Sequence, residues 1–460
     1  MSTVIHSGSS STNETDYIDH FSALAPPPTS IGETGLSESF LGDLVCKHLL
    51  NSGVLSLFEL VERVALTGKV LQDLMQFLRA EARVEVLAGT DNPDELRYSL
   101  TNRGRQTALD AMARNGYIGP APATLQQYAS VVRKQTIHSA NVTKSDMRAA
   151  FSDVVLKETL LDQLGPSLNS GRAIFIYGQA GTGKTYITQR LAKLFRDAVL
   201  IPHAIAVNDT VIAVFNPVKH KPIEQSQAPR ELVFTSRYDD RWVSCERPVL
   251  ISGGELHSDM LDVQLEPLVK EYRAPLQLLA NNGVFIIDDM GRQRISPAEV
   301  FNRWIVPLEE QIDYLSLGSG RHFSVPFDLV LVFSTNINPT ELADEAFLRR
   351  IGYKIEFGPL ERDQYETIWR EVCRAKQVVC DQSVLDFAIE DLHAKTQTPL
   401  LPCHPRDLLS IAVDQLTYQG EPRVLSRTHI SWAWHNYFVG MDVEPNEPSR
   451  PIISGESNHV

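Results

Sequence analysis

The sequence predicts an α/β fold: a parallel-sheet core closed by a C-terminal helical lid and preceded by a small α+β module. Three observations predict it. The apolar run Ala173 to Tyr177 leads into Gly178-Gln-Ala-Gly-Thr-Gly183-Lys184-Thr185 and then into helical apolar spacing from Tyr186 to Phe195, which reads as strand, loop, helix. A second run too short for a helix, Val284 to Ile287, ends in Asp288 and Asp289. Beyond Gly358-Pro359 four segments carry apolar residues at helical spacing.

Residues 1–35 are rich in Ser, Thr and Pro, including Ala25-Pro26-Pro27-Pro28, and are expected to form a disordered tail. In residues 36–118 the spacing predicts helices Phe40 to Leu50, Leu57 to Val64 and Lys69 to Ala82, then strands Arg83 to Leu87 and Leu96 to Leu100 around a polar turn at Asp91-Asn92-Pro93. The junction Leu100-Thr101-Asn102-Arg103-Gly104-Arg105 opens a further helix to Ala113. Three helices, a β-wing and a closing helix resemble a winged helix-turn-helix domain. Its third helix carries Lys69 and Arg79 against Asp73 and Glu81; that neutrality favours a protein contact, while Arg97, Arg103 and Arg105 keep duplex DNA open.

Residues 119–140 begin Pro/Ala-rich and turn polar, which predicts a linker. Residues 141–358 form the core, with β-like segments Val199 to Val207, Val211 to Phe215 and Leu232 to Phe234 predicting a β-rich insert over about 199–250. Leu315 to Phe323 alternates about Gly318-Ser319-Gly320 as a hairpin would. The run Leu329 to Phe333 is closed by Ser334-Thr335-Asn336, and Asp344 to Ile351 docks a short helix that leaves Arg349 and Arg350 at its end before a strand from Tyr353 to Phe357. The lid, 359–440, is drawn as helices Arg362 to Ala375, Ser383 to His393, Pro405 to Leu416 and Thr428 to Val439, and residues 441–460 as a second disordered tail.

Composition bounds the function. The chain has 460 residues, 43% hydrophobic and 22% charged, with a net charge of −14, which is ordinary globular material and not a surface built for phosphate backbones or anionic membranes. No apolar stretch is long enough to span a bilayer and the N-terminus lacks a basic start and apolar core, so a cytoplasmic chain without membrane insertion is expected. Five cysteines are scattered without a C-x-x-C pair, which argues for free thiols in a reducing compartment.

The chemistry starts at the glycine-rich loop. Gly178, Gln179, Ala180, Gly181, Thr182 and Gly183 let successive N–H groups turn inward on phosphate oxygens at a helix N-terminus. Lys184 suits the β- and γ-phosphates and Thr185 suits Mg²⁺. Asp288 and Asp289 end a buried strand where ligands meet open α/β sheets, so Asp288 can join the Mg²⁺ shell and Asp289 can orient and deprotonate water. Asn336 can hold that water against the γ-phosphate. A pair of arginines at a helix end can reach a neighbouring subunit's site, and Arg406 near Pro405 can contact the γ-phosphate from the lid. His404 reads as structural, since no acid or metal spacing accompanies it.

These pieces, in this order over roughly residues 140 to 440, resemble the AAA+ ATPase superfamily. Gly178 to Thr185 looks like Walker A, Asp288 and Asp289 like Walker B and Asn336 like sensor 1; Arg349 and Arg350 fall on the arginine-finger position and Arg406 on sensor 2. The hairpin before the sensor strand resembles the pre-sensor-1 hairpin group, with its MoxR-type and chelatase-like members. The resemblance implies a three-layer core, ATP and Mg²⁺ as cofactors, and a homo-oligomeric, hexameric ring that hydrolyses ATP to remodel a partner. An unidentified protein partner would be met through the winged helix or the insert; a DNA-directed regulator or motor is the alternative. Asp289 stands where the family usually carries glutamate and is one methylene shorter. A GTPase or small-molecule kinase is a third class: Thr143-Lys144-Ser145-Asp146 fits a guanine-reading pattern but precedes the phosphate loop, the reverse of the GTPase order, and nothing in the lid suggests a kinase's acceptor site.

Overall fold

The computed structural model describes residues 14–88, 96–195, 197–223, 238–318 and 320–438. The chain separates into two compact units: Met1–Ala150 with Asp162–Ile176 and Thr188–Ile355, and Phe151–Leu161 with Tyr177–Ile187 and Glu356–Val460. Among the described residues no helix is long and apolar enough to cross a membrane.

The first unit opens with α1 (Glu14–Leu24) and α2 (Ile31–Thr34), so the expectation of a disordered tail through residue 35 fails from residue 14 onward. Phe21, Leu24 and Ala25 are buried, and the Phe21 ring meets Tyr238 edge-on at 5.7 Å. The proline run does not stay loose either: the Ala25 carbonyl accepts from Asp239 N at 3.0 Å and the Pro28 carbonyl from the Thr67 hydroxyl at 3.0 Å. Arg241, almost fully buried against Asp239, donates to the carbonyls of Thr34 and Pro122. A buried guanidinium needs such partners, and here they tie the N-terminal segment down.

Next come α3 (Glu38–Ser52), β1 (Leu55–Ser56), α4 (Leu57–Val64), α5 (Gly68–Ala80), β2 (Val84–Ala88), β3 (Leu96–Leu100) and α6 (Asn102–Arg114). The three strands pair in the order β1-β3-β2, antiparallel throughout. Each helix begins on a hydroxyl: Ser37, Ser56, Thr67 and Thr101 accept from the N–H three residues on, satisfying otherwise unpaired first-turn donors. The predicted turn at Asp91-Asn92-Pro93 lies outside the described residues. Below the helices, Leu41, Leu49, Leu60, Leu71 and Leu78 are buried in one core that also takes in Ala204 and Val211. The module is therefore packed onto the following β structure rather than tethered to it.

The predicted linker 119–140 is also structured. Here β4 (Ala123–Thr124) runs into α7 (Leu125–Lys134), and Tyr128, Val131 and Val132 are buried. Their i, i+3, i+4 spacing makes one apolar stripe on a helix that otherwise reads polar. β4 then completes a mixed five-stranded sheet, β11-β12-β8-β7-β4, built from β7 (Ala204–Val207), β8 (Thr210–Ala213), β11 (Gln264–Glu266) and β12 (Glu271–Arg273). A separate antiparallel pair joins β6 (Ala198–Pro202) to β9 (Trp242–Glu246). The β insert thus exists, but the boundary expected near 250 moves to Arg273. The expected strand Leu232 to Phe234 lies outside the described residues.

The central sheet has the order β10-β13-β16-β5-β17, from β5 (Ile174–Tyr177), β10 (Val249–Ser252), β13 (Val284–Ile287), β16 (Val330–Thr335) and β17 (Tyr353–Glu356). β10, β13 and β16 are parallel neighbours in register, and β13 and β16 are buried on both faces. That double burial is why they read as unbroken apolar runs. Flanking helices are α8 (Lys144–Ala150), α9 (Glu158–Asn169), α10 (Lys184–Ala192), α11 (Leu276–Leu279), α12 (Pro297–Glu310), α13 (Pro339–Leu342) and α14 (Glu345–Leu348). The predicted hairpin is present: β14 (Ile312–Ser316) pairs antiparallel with β15 (His322–Pro326), Leu315 opposite Phe323.

The second unit is mainly helical: α15 (Arg362–Ala375), α16 (Gln382–Asp386) continuing as a π-turn over Phe387–His393, α17 (Cys403–Gln419) and α18 (Arg427–Tyr437). Trp369, Leu392, Leu408, Ala412 and Trp434 form its core.

Candidate functional site

The glycine-rich loop Gly178 to Thr185 lies in the second unit, and its glycines are fixed by what surrounds them. Gly178 has φ +142°, and a Cβ there would come within 2.1 Å of the Phe357 carbonyl oxygen. At Gly181, φ +85°, a Cβ would meet the Cys403 sulfur at 2.4 Å. Gly178 excludes any side chain because the obstacle is backbone, while a side chain at Gly181 would be strained by its φ and would press on Cys403. Lys184, the first residue of α10, folds its ammonium back on the carbonyls of Gly178 and Gln179, each at 2.8 Å. The loop is thereby closed around a buried cation.

The same unit brings the start of α17 onto the loop. Cys403 N donates to the Gly181 carbonyl at 3.3 Å. No local motif marks Cys403 for this role; only the fold brings it to the loop. Arg406 is the fourth residue of α17, in its first turn, and is 72% exposed with its guanidinium on Asp407 at 3.0 Å. Pro402 sits before the helix and Pro405 within its first turn, so the helix starts two residues earlier than expected. His404 is buried against His393, Tyr437 and Phe438, and burial lowers its pKa to about 4.

In the first unit β13 and β16 deliver their carboxyl ends side by side. Met290 N donates to the Ser334 carbonyl at 2.8 Å and the Thr335 hydroxyl to the Met290 carbonyl at 2.7 Å. These two bonds staple the acidic turn to the next strand. Asp288 N donates to Ser252 O on β10, and Gln293 holds the Asp288 carbonyl at 2.8 Å. Asp289 sits at φ +51°, a left-handed conformation that aspartate tolerates at modest cost. Its carboxylate, exposed, accepts from the Asn336 amide at 3.4 Å. The structure thus joins Asp289 and Asn336, which sequence spacing separates widely.

The two arginines part company. Phe347 stacks on Phe301 with ring centroids 4.1 Å apart and Asp344 caps α14, fixing the helix that ends at them. Arg350 is engaged locally, on the Glu309 carboxylate at 2.8 Å and the Ala346 carbonyl at 2.8 Å. Arg349 is exposed and makes no ion pair among the described residues. The Thr143-Lys144-Ser145-Asp146 pattern is a helix start: Thr143 and Asp146 exchange hydrogen bonds at 2.9 and 3.2 Å, and Lys144 pairs with Asp162.

A family model described as a domain of unknown function (DUF8689) matches residues 361–436, the helical segment α15 to α18. No curated protein matches this chain. Among solved structures the chain is similar to Thermotoga maritima RuvB, described as a Holliday junction branch migration motor, at 13% identity over 63% of this chain and 72% of that chain, with a TM-score of 0.36. It is also similar to NtrX from Brucella abortus, at 12% identity over 64% of this chain and 59% of that one, with a TM-score of 0.39.

Proposed function

We propose that the chain is an AAA+ ATPase that binds ATP with magnesium and hydrolyses it in an oligomeric ring to remodel a partner protein. The observation that carries this reading is the Asn336 amide on the Asp289 carboxylate at the adjoining ends of two parallel strands. An amide and a carboxylate so held can orient one water and take its proton. Gly178, Gln179, Ala180, Gly181, Thr182 and Gly183 cradle the phosphates by backbone N–H groups, and Lys184 turns its ammonium from two carbonyls to the β- and γ-phosphates.

Thr185 and Asp288 are the residues that would hold magnesium, since a hydroxyl and a carboxylate are the hard oxygen donors that ion takes. Magnesium held by them would neutralise phosphate charge. Arg349, exposed at the end of a rigidly docked helix, is the finger directed at a neighbouring subunit, whereas Arg350 braces α14 on Glu309. Arg406 is the lid contact.

A protein partner is favoured by the 36–118 module. Val54, Phe58, Leu87, Leu96 and Leu109 are between 39% and 51% exposed on it, and Lys69 and Arg79 of α5 stand with Asp73 on the helix and Glu81 at its C-cap. Duplex binding by this chain would instead show the steep salt dependence of phosphate contacts.

The test compares ATP and GTP turnover by the full chain, with and without Mg²⁺, against the Asp289→Asn variant. Hydrolysis specific to ATP and magnesium is expected, falling about 10²- to 10⁴-fold in the variant while ATP affinity holds within about threefold. Wild-type turnover by Asp289→Asn overturns the assignment.

A further inference from the structure

The helical unit contains a thiol pair that the proposed ATPase chemistry does not use. α15 ends in a tight reversal: Gln377 takes φ +53°, Gln377 N donates to Arg374 O at 3.1 Å and Val378 N to Cys373 O at 3.0 Å. This is the 6→1 and 5→2 closure that ends many helices. Val379 then bridges to Val424, with Val379 N on Arg423 O at 2.9 Å and Leu425 N on Val379 O at 2.8 Å. Cys380 is thereby fixed facing back toward the last turn of α15. There Trp369 Nε1–H donates to the Cys380 sulfur at 3.3 Å, and Cys373, one turn beyond Trp369 on the same helix, lines the same cleft as Cys380.

Cys373 and Cys380 both line one cleft of about 440 Å³, with Arg370, Arg374 and Gln382 on its wall. Cys373 is buried and Cys380 partly accessible. We propose that Cys380 is a peroxide-reactive cysteine and Cys373 its resolving partner, so that oxidation joins the two in an intramolecular disulfide. Interaction with the Cys373 thiol, helped by the Trp369 hydrogen bond and opposed by burial and Asp381, lowers the Cys380 pKa to about 7, and the same interaction with burial drives Cys373 upward. One thiolate and one reserved thiol is the arrangement the chemistry needs.

The oxidant is hydrogen peroxide. The Cys380 thiolate attacks one peroxide oxygen, the O–O bond breaks, hydroxide leaves and a sulfenic acid forms. Cys373 sulfur then attacks Cys380 sulfur: the S–S bond forms, the S–O bond breaks, and hydroxide departs with the Cys373 proton as water. Two thiols lose two electrons and two protons, and peroxide is reduced to two waters.

The inference does not depend on nucleotide chemistry, and neither does its test. The full chain is treated with hydrogen peroxide at neutral pH and mapped by peptide mass spectrometry. A Cys373–Cys380 disulfide is expected in the wild type, and a dimedone-trapped sulfenic acid at Cys380 in Cys373→Ser. No disulfide, or a sulfenic acid at Cys373 instead, overturns the proposal. Because serine at either site can loosen the fold, iodoacetamide alkylation of the wild type supplies a second measure. Cys380 should react roughly tenfold faster than Cys403 at pH 7, with half-maximal rate near that pH. A Cys380 rate that rises only around the ordinary thiol value of about 8.5 overturns it.

Discussion

Arg349 and Arg350 are chemically identical neighbours, and their surroundings give them different work. Arg350 spends its guanidinium on Glu309 and the Ala346 carbonyl, a half-exposed pair worth about 0–1 kcal/mol. Arg349→Ala should lower ATP turnover about 10³-fold or more and leave ATP affinity nearly unchanged, because an arginine finger acts on the transition state. Arg350→Ala should lower the Tm slightly and keep most turnover; steady-state kinetics and nucleotide titration on both variants separate the roles. Histidines act at the same scale. Burial lowers His393 and His404 to about 4, below the unfolded value of about 6.5. Their neutral form belongs to the folded state, so the stability they contribute is present above about pH 6.5 and is lost as pH falls toward 4. From pH 7 to pH 5 each should cost the helical unit about 2 kcal/mol. Calorimetry of the wild type and of His404→Phe across that interval should show the smaller loss in the variant; an equal loss excludes His404 as a source.

At the scale of elements, the phosphate loop and the start of α17 constrain each other through Gly181 and Cys403. Gly181→Ala should weaken ATP binding, since its methyl would press on the Cys403 sulfur at 2.4 Å. Cys403→Ala should be mild alone and should recover part of the loss in the double variant. The positive φ strain at Gly181 remains, so recovery is incomplete. A coupling energy of about 0.5–3 kcal/mol from the four titrations is expected; strict additivity would show that the two residues do not press on each other. This pair also shows what the sequence displays and what it hides. Val284 to Ile287 and Leu96 to Leu100 are readable as strands because burial and flanking turn residues leave a local pattern. Gly178 to Thr185 is readable because its glycines stand at the spacing that a tight turn before a helix requires, with positive φ at Gly178, Gly181 and Gly183. α1 and α7 are not readable, since what orders them is distant: Phe21 needs Tyr238, and Gln135 after α7 needs Leu200 and Asn282. Nor does spacing distinguish Arg349 from Arg350, because Glu309 lies on another helix.

At the scale of the whole molecule, the proposed chemistry makes the subunit incomplete. A finger that projects from one copy serves the phosphate loop of the next, so each active site draws on two chains. Lys184→Ala removes the lysine proposed for the phosphates but keeps Arg349; Arg349→Ala keeps the loop but removes the finger. Each alone should be inactive. Mixed in equal amounts under exchange, they should form interfaces in which an intact loop faces an intact arginine at about one site in four, if assembly is random and heterologous. Specific activity should then rise from background to about a quarter of the wild-type value and fall again on dilution below the assembly constant. Mixtures no more active than their components would place the arginine's action within one chain. Full wild-type activity in a dilute, strictly monomeric preparation would remove the ring from the mechanism altogether.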